Sequence, residues 1–159
     1  MRYWLMKTEP TVFSLDDLRN KPGSTDHWEG VRNYQARNYM RDDMKVCDRV
    51  LFYHSNCKEP GVAGVAEVTK EAYPDFFSWD PTSRYFDPKS SSEKPKWVMV
   101  DLSWKQAFKE IVSLKDMKTN PRLKNMRVLQ KGQRLSILPV TREEFNAVCA
   151  MGKKNIKEK

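Results

Sequence analysis

The stretch YPDFFSWDPTSRYFDPKSSSEKP, residues 73–95, sets the terms for any fold this chain adopts. It holds four prolines, two of them preceded by Asp, and six aromatic rings. Proline lacks a backbone N–H and fixes φ, so the segment is neither a helix nor a central strand. Six rings are too many for a solvated linker, because that much apolar surface gains by burial. What remains is a long loop, pinned by its own rings and lying over the domain, and long ordered loops commonly carry function.

On either side of this loop the apolar runs are short. RYWLMK (2–7) reads as a buried strand, as do VCDRVLFYH (46–54), GVAGVAEVTK (61–70), WVMVDLSW (97–104) and RLSIL (134–138), the last ended by Pro139. Ser14 with Asp17 forms a capping box for a helix over 14–20, with Phe13 placed to staple onto Leu18 and Pro22-Gly23 closing it. Asn33 is placed to cap a helix over 34–44, whose apolar face is Ala36, Tyr39, Met40 and Met44. Further helices are expected over 113–119 and over 141–151, the second with Thr141 and Glu144 as its capping box and Gly152 as its stop. Strands and short helices without regular βαβ alternation favour a curved or barrel-like sheet with helices around it, an α+β class.

With 159 residues the chain suits one domain, expected over 1–152, followed by a basic tail over 153–159. No apolar run approaches the roughly 18 residues of a membrane span, and the N-terminus lacks the pattern of a secretory signal, so no membrane partner is expected. Cys47, Cys57 and Cys149 are odd in number and far apart, the pattern of reduced thiols. The net charge of +8 is uneven: residues 1–50 carry 9 Lys/Arg against 8 Asp/Glu, 51–100 carry 6 against 7, and 101–159 carry 14 against 6. Such asymmetry suggests a polyanionic partner or a basic tail. Outside the tail, the excess lies in 114–134, where Lys115, Lys118, Arg122, Lys124, Arg127, Lys131 and Arg134 face only Asp116. That segment is either a solvated face or a set of phosphate contacts.

The inventory for catalysis is thin. His54 and Cys57 would make half a zinc site, and no second pair completes it. Nothing orients the same two residues as a base and nucleophile, and the six glycines form no phosphate loop. The expectation is therefore a non-enzymatic protein with no catalytic residues, no metal and no cofactor. The alternatives are an enzyme using His54, Cys57 or Glu9, or a binder of a small ligand.

What the chain does offer is concentrated in WEGVRNYQARN, residues 28–38: one Trp, one Tyr, two Arg, two Asn and a Gln. Unpaired bases are held by stacking on aromatic rings and identified by hydrogen bonds to their edges. Trp28 and Asn33 supply both parts in one loop before a helix, where free amides gather. The blander roles are a core tryptophan at 28 and ion pairing of Arg32 and Arg37 with Asp42, Asp43 or Glu29.

KTEP at 7–10, W-x-GVRNYQARN at 28–38, LFYHSN at 51–56, PD at 74–75, DPxSxYxDPKS at 80–90, PxW at 95–97 and RLSILPV ending at 140 together resemble the EVE domain, in its order and over the chain to about residue 150. The resemblance implies a PUA-like pseudo-β-barrel: a mixed, mostly antiparallel curved sheet with flanking short helices. It further implies recognition of a modified base, such as methylated or hydroxymethylated cytosine, flipped into an aromatic pocket, with DNA ahead of RNA as the partner.

By motif position Trp28 would be a wall, and Asn33 with the Val31 and Arg32 backbone would face the base edge. Lys7, Thr8, Glu9, His54, Ser55 and Asn56 would line the pocket, and Tyr85, Asp87 and Lys89 would close it. Lys115, Lys118, Arg122, Lys124, Arg127 and Lys131 would contact phosphates. A monomer is expected, cytoplasmic if bacterial and nuclear if eukaryotic. One departure stands out: the family usually has Gly-Asp before the LFYHSN strand, where this chain has Cys47-Asp48. If that turn needs a positive φ, Cys47 is strained.

Overall fold

A computed structural model describes residues 1–157, with side chains through residue 153. Six strands form one mixed sheet: β1 (Tyr3–Thr8), β2 (Thr25–His27), β3 (Arg49–His54), β4 (Gly61–Pro74), β5 (Val98–Ser113) and β6 (Ile137–Val140), in the order β2-β5-β4-β3-β1-β6. Only β1 and β3 run parallel; every other neighbouring pair is antiparallel. The sheet curves without closing, which is the PUA-like pseudo-barrel, and four short or medium helices flank it: α1 (Leu15–Arg19), α2 (Tyr34–Asn38), α3 (Leu114–Lys118) and α4 (Arg142–Lys157).

The central strands are buried on both faces, so they read as continuous apolar runs instead of alternating. Trp4 and Met6 of β1, with Val50 and Phe52 of β3, enter one core cluster together with Leu15, Leu18, Trp28, Ala36, Met40 and Met44. Leu5, Leu51 and Tyr53 point the other way, into a second cluster with Met117, Leu123, Met126, Leu138 and Val148. The first cluster is covered by α1, α2 and the 28–33 loop; the second by the 114–135 segment and α4.

Several expected boundaries move, and the short β2 was not expected at all. β5 continues from 104 to Ser113, because register shifts against β4 break the period of two that marks a strand in sequence. Pro139 lies inside β6 opposite Trp4, tolerated because β6 is an edge whose outer side needs no N–H. The helix expected over 34–44 divides into α2 and a π-helical turn, Tyr39–Asp43, which closes with the Met44 N–H on the Tyr39 carbonyl at 2.9 Å.

Gly152 does not stop the last helix either. A Cβ there would sit 2.5 Å from the Phe108 ring, so the glycine serves close packing of α4 on β5 and the helix runs on to Lys157. The first part of the expected tail is thus helical in backbone, while residues 158 and 159 lie outside the described residues.

Candidate nucleic-acid interface

The parallel pair β1 and β3 ends at Thr8 opposite His54. Here the 28–33 loop, which leaves β2, meets the long loop that follows β4. Between them lies a cleft of two adjoining lobes sharing Thr8, Val12, Trp28, Glu29 and Tyr85. One lobe, about 290 Å³, extends to Phe13, Lys21, Asp26 and His27. The other, about 220 Å³, extends to Lys7, Glu9, Gly30, Val31, Arg32, Arg84 and Ser136. Larger hollows also occur among the described residues, including one of about 620 Å³ beside Tyr3, Tyr39 and Arg142 and one of about 700 Å³ beside Pro60 and Lys115. The second has no aromatic ring in its lining, and the first is lined by Tyr3, Trp4 and Tyr39 at the opposite end of β1 from Thr8.

Trp28 is a core residue that also borders the cleft. Its backbone N–H donates to the Val100 carbonyl at 2.8 Å, and its ring meets Phe52 edge-on at 5.5 Å and Phe13 at 6.4 Å. Only 8% of it is exposed, and that remnant faces the cleft. A wall anchored in the core loses little entropy when a planar ligand stacks on it. Tyr85 also lines both lobes, and its ring lies over Gly30: a Cβ at Gly30 would sit 2.5 Å from that ring, and φ there is +85°. Only glycine fits such a position.

Asp75 ties the two loops together. Its carboxylate is fully buried and accepts from the Gly30 N–H, the Phe77 N–H and Arg32 Nη1, each at 3.0 Å. Arg32 also donates to the Tyr85 carbonyl through Nε at 3.1 Å and Nη2 at 2.7 Å. Its charge therefore pairs with Asp75 and not with Asp42, Asp43 or Glu29. One fork holds both walls at once, as only a planar guanidinium can.

The cleft mixes charges. Burial pushes the Lys7 ammonium below the usual lysine range. The Glu9 carboxylate accepts from Asn56 Nδ2 at 2.5 Å, and Glu29 meets His27 Nδ1 at 2.5 Å, so each carboxylate is oriented through one oxygen. Behind Lys7, burial raises Tyr53 to about 12, which keeps its hydroxyl protonated.

Of the expected pocket residues, Lys7, Thr8, Glu9, Trp28, Val31, Arg32 and Tyr85 come together around the cleft. The others do not line it, and most of them are engaged elsewhere. The Asn33 side-chain oxygen caps α2 by accepting from the Ala36 N–H at 3.0 Å, which commits one of its lone pairs to the helix. His54 Nε2 accepts from the Leu15 N–H at 3.1 Å, and burial lowers its pKa against the opposing pull of Asp16 and Asp17. Ser55 donates its backbone N–H to the Thr8 carbonyl, and Asn56 supports Glu9. Asp87 accepts from the Trp97 indole at 2.7 Å and from the Lys89 N–H at 2.9 Å, and the Lys89 side chain is exposed outside the cleft.

Sequence reasoning passed over Glu29, Gly30, Asp75 and Arg84 as site residues. Gly30 and Asp75 stood inside the quoted motifs, where a lone Gly and a Pro-Asp pair carried the signal.

The basic segment is also placed differently from expectation. Met117, Leu123 and Met126 bury it in the second cluster, across the sheet from Trp28, although Arg127 reaches round to the Tyr39 hydroxyl, beside the first cluster, at 3.3 Å. Lys115, Lys118, Arg122, Lys124, Arg127 and Lys131 are exposed there, and none lines the cleft. The cations that do are Lys7, Lys21, Arg32 and Arg84. No group of three or more His, Cys, Asp and Glu able to hold a metal ion occurs among the described residues. Nor is any helix there long and apolar enough to cross a membrane.

The structure is a PUA-like sheet with a cleft lined by Trp28 and Tyr85 where its parallel strands end. The EVE domain model matches residues 2–151, and the chain belongs to this family. Human thymocyte nuclear protein 1 is 44% identical to it, over 96% of this chain and 74% of that protein. A hypothetical protein from Leishmania major has a solved structure that superposes with a TM-score of 0.91 at 47% identity, covering 97% of this chain and 96% of that one. Human THYN1 protein, solved in complex with 5-methylcytosine containing DNA, superposes with a TM-score of 0.89 at 43% identity, covering 96% of this chain and 98% of that one.

Proposed function

We propose that this protein is a non-catalytic reader of modified cytosine in DNA, working where its DNA is held. The observation that carries the reading is the solved complex of a relative 43% identical to this chain with 5-methylcytosine DNA, over nearly the whole length of both. The geometry supports it. A cytosine out of the stack exposes two faces and a hydrogen-bonding edge. Trp28 and Tyr85 supply rings for the faces, and the carboxylates of Glu9 and Glu29 supply acceptors for the exocyclic amine. Cytosine offers an N–H donor where thymine offers a carbonyl, so a carboxylate favours the first over the second. A methyl group at C5 adds apolar surface, which gains by packing against Val12, Val31 or a ring.

The test is a fluorescence titration with duplexes that differ only in one cytosine, 5-methylcytosine or 5-hydroxymethylcytosine. The expected result is tighter binding of a modified duplex, with the preference lost in Trp28→Phe or Tyr85→Leu. Equal affinity for all three duplexes in the wild-type protein overturns the reading.

A further inference from the structure

The ring system does not end at the cleft wall. The Arg32 guanidinium carbon lies 5.7 Å from the Tyr85 ring centre and 5.5 Å from that of Trp97. Trp97 in turn stacks on Tyr34 at 5.0 Å and 24°. Arg37 sits 4.8 Å from the Tyr34 ring and 5.7 Å from Trp97, and Lys96 Nζ sits 5.1 Å and 5.5 Å from the same two rings. A series of rings with cations beside them therefore runs from Tyr85 outward, ending at Tyr34, which is 52% exposed.

This platform is built before any partner arrives. The Trp97 indole is fixed on Asp87 at 2.7 Å. Arg37 is oriented by neutral oxygens: the Lys96 carbonyl at 3.0 Å and Asn38 Oδ1 at 3.1 and 2.9 Å. The ion pair of Lys96 is with Asp87 at 3.8 Å, and that carboxylate already serves the Trp97 indole and the Lys89 N–H. Tyr34 first, then Asp87, holds the Lys96 ammonium above its ordinary range, so it stays charged. Two cations held close together around an exposed ring repel each other, and an anion that settles between them relieves that repulsion.

We infer that Tyr34, Arg37 and Lys96 form a second contact for the DNA strand whose base enters the cleft. Tyr34 takes the face of a neighbouring base, and Arg37 and Lys96 take the phosphates beside it. The inference rests on the DNA-reading function proposed above and supplies what that function lacks. Extruding a base unstacks its neighbours, and a ring just outside the cleft restores one lost face. Val31 and Arg32 line the cleft, and Tyr34 opens α2 two residues later, so contact and cleft are adjacent along the chain. Ring plus cation also matches the alternation of base and phosphate along a single strand.

The experiment measures affinity and its salt dependence for 5-methylcytosine and unmodified duplexes, using the wild-type protein, Tyr34→Ala and Lys96→Gln, with thermal melting of each. Tyr34→Ala is expected to weaken both duplexes alike, about 5- to 150-fold, the worth of one base stacked on a ring. Lys96→Gln is expected to flatten the slope of log K against log salt by about one.

If both folded variants keep wild-type affinity and slope, the platform is overturned, even where the preference for 5-methylcytosine persists. If the wild-type protein binds both duplexes equally while the two variants weaken both, the platform stands and the base-reading function falls. A protein that binds neither duplex overturns both, as does one whose Tyr34-dependent binding is confined to RNA of the same sequence.

Discussion

Gly30 and Tyr85 are in direct van der Waals contact across two loops 55 residues apart in sequence, so close that a methyl at Gly30 would lie 2.5 Å from the ring. The long loop is not merely laid over the domain. It is seated on a backbone that has no side chain in the way, and the cleft exists because of that seat.

Gly30→Ala therefore meets two penalties at once, a φ of +85° and a clash with Tyr85. The expected loss of stability is about 2 to 4 kcal/mol, from the strain of a positive φ and the cost of overpacking. Urea denaturation measures it, and a variant as stable as wild type would show that the Tyr85 seat gives way freely. Titration with the modified duplex should show preference lost along with stability, since the displaced ring is a wall.

Asp75→Ala removes the acceptor of two backbone N–H groups and the partner of Arg32. Breaking a fully buried ion pair costs roughly 3 to 5 kcal/mol. The Arg32 side chain is 23% exposed and is screened in part by water, so about 2 to 4 kcal/mol is expected here. Asp75→Asn keeps one acceptor oxygen and should recover part of the loss. A drop below about 0.5 kcal/mol in Asp75→Ala would mean that the two loops are held by their rings alone.

Cys47 has φ +80° in the turn before β3, where its N–H donates to the Val68 carbonyl at 2.9 Å. The suspicion raised by a Cys in place of the family's Gly is thus met by a strained backbone. Cys47→Gly relieves the strain of roughly 1 to 2 kcal/mol but adds freedom to the unfolded chain. The net expectation is a gain of about 0.5 to 1 kcal/mol by urea denaturation, without change in DNA affinity, because the turn lies at the far end of β3 from the cleft.

His54 gives the fold a pH dependence. Only the neutral ring can accept the Leu15 N–H through Nε2, and burial lowers the pKa in the folded state. The unfolded chain then takes up the proton first, so this contribution is complete above about pH 6.5 and is lost as pH falls through the lower folded value. Stability measured from pH 7.5 down to pH 5 should decline, and His54→Gln should flatten the decline. A profile identical in the variant would remove His54 from the account.

Much of the architecture was legible because it rests on local rules. The capping boxes at Ser14 and Thr141 and the cap at Asn33 appear where the sequence places them. Strands whose two faces are both buried declare themselves as apolar runs, so β1 and β3 were plain. The second half of β5 was not, because polar residues on its exposed face and slips in register against β4 hide the period.

The candidate site divides along the same line. Trp28, Tyr85 and the KTEP strand end were marked by residue type and motif, and the sequence by itself determined that a ring-rich loop precedes a capped helix. Only the tertiary structure decided which groups converge. Asn33 carries the chemistry of a base reader, yet its oxygen goes to the Ala36 N–H; the basic run 115–131 carries the charge of a phosphate site, yet lies across the sheet from Trp28. A polar side chain is claimed by the nearest unsatisfied partner, and a long-range contact such as Gly30 with Tyr85 leaves no local period to read. Sequence sets the inventory of rings, forks and charges, and packing decides which of them remain free to meet a ligand.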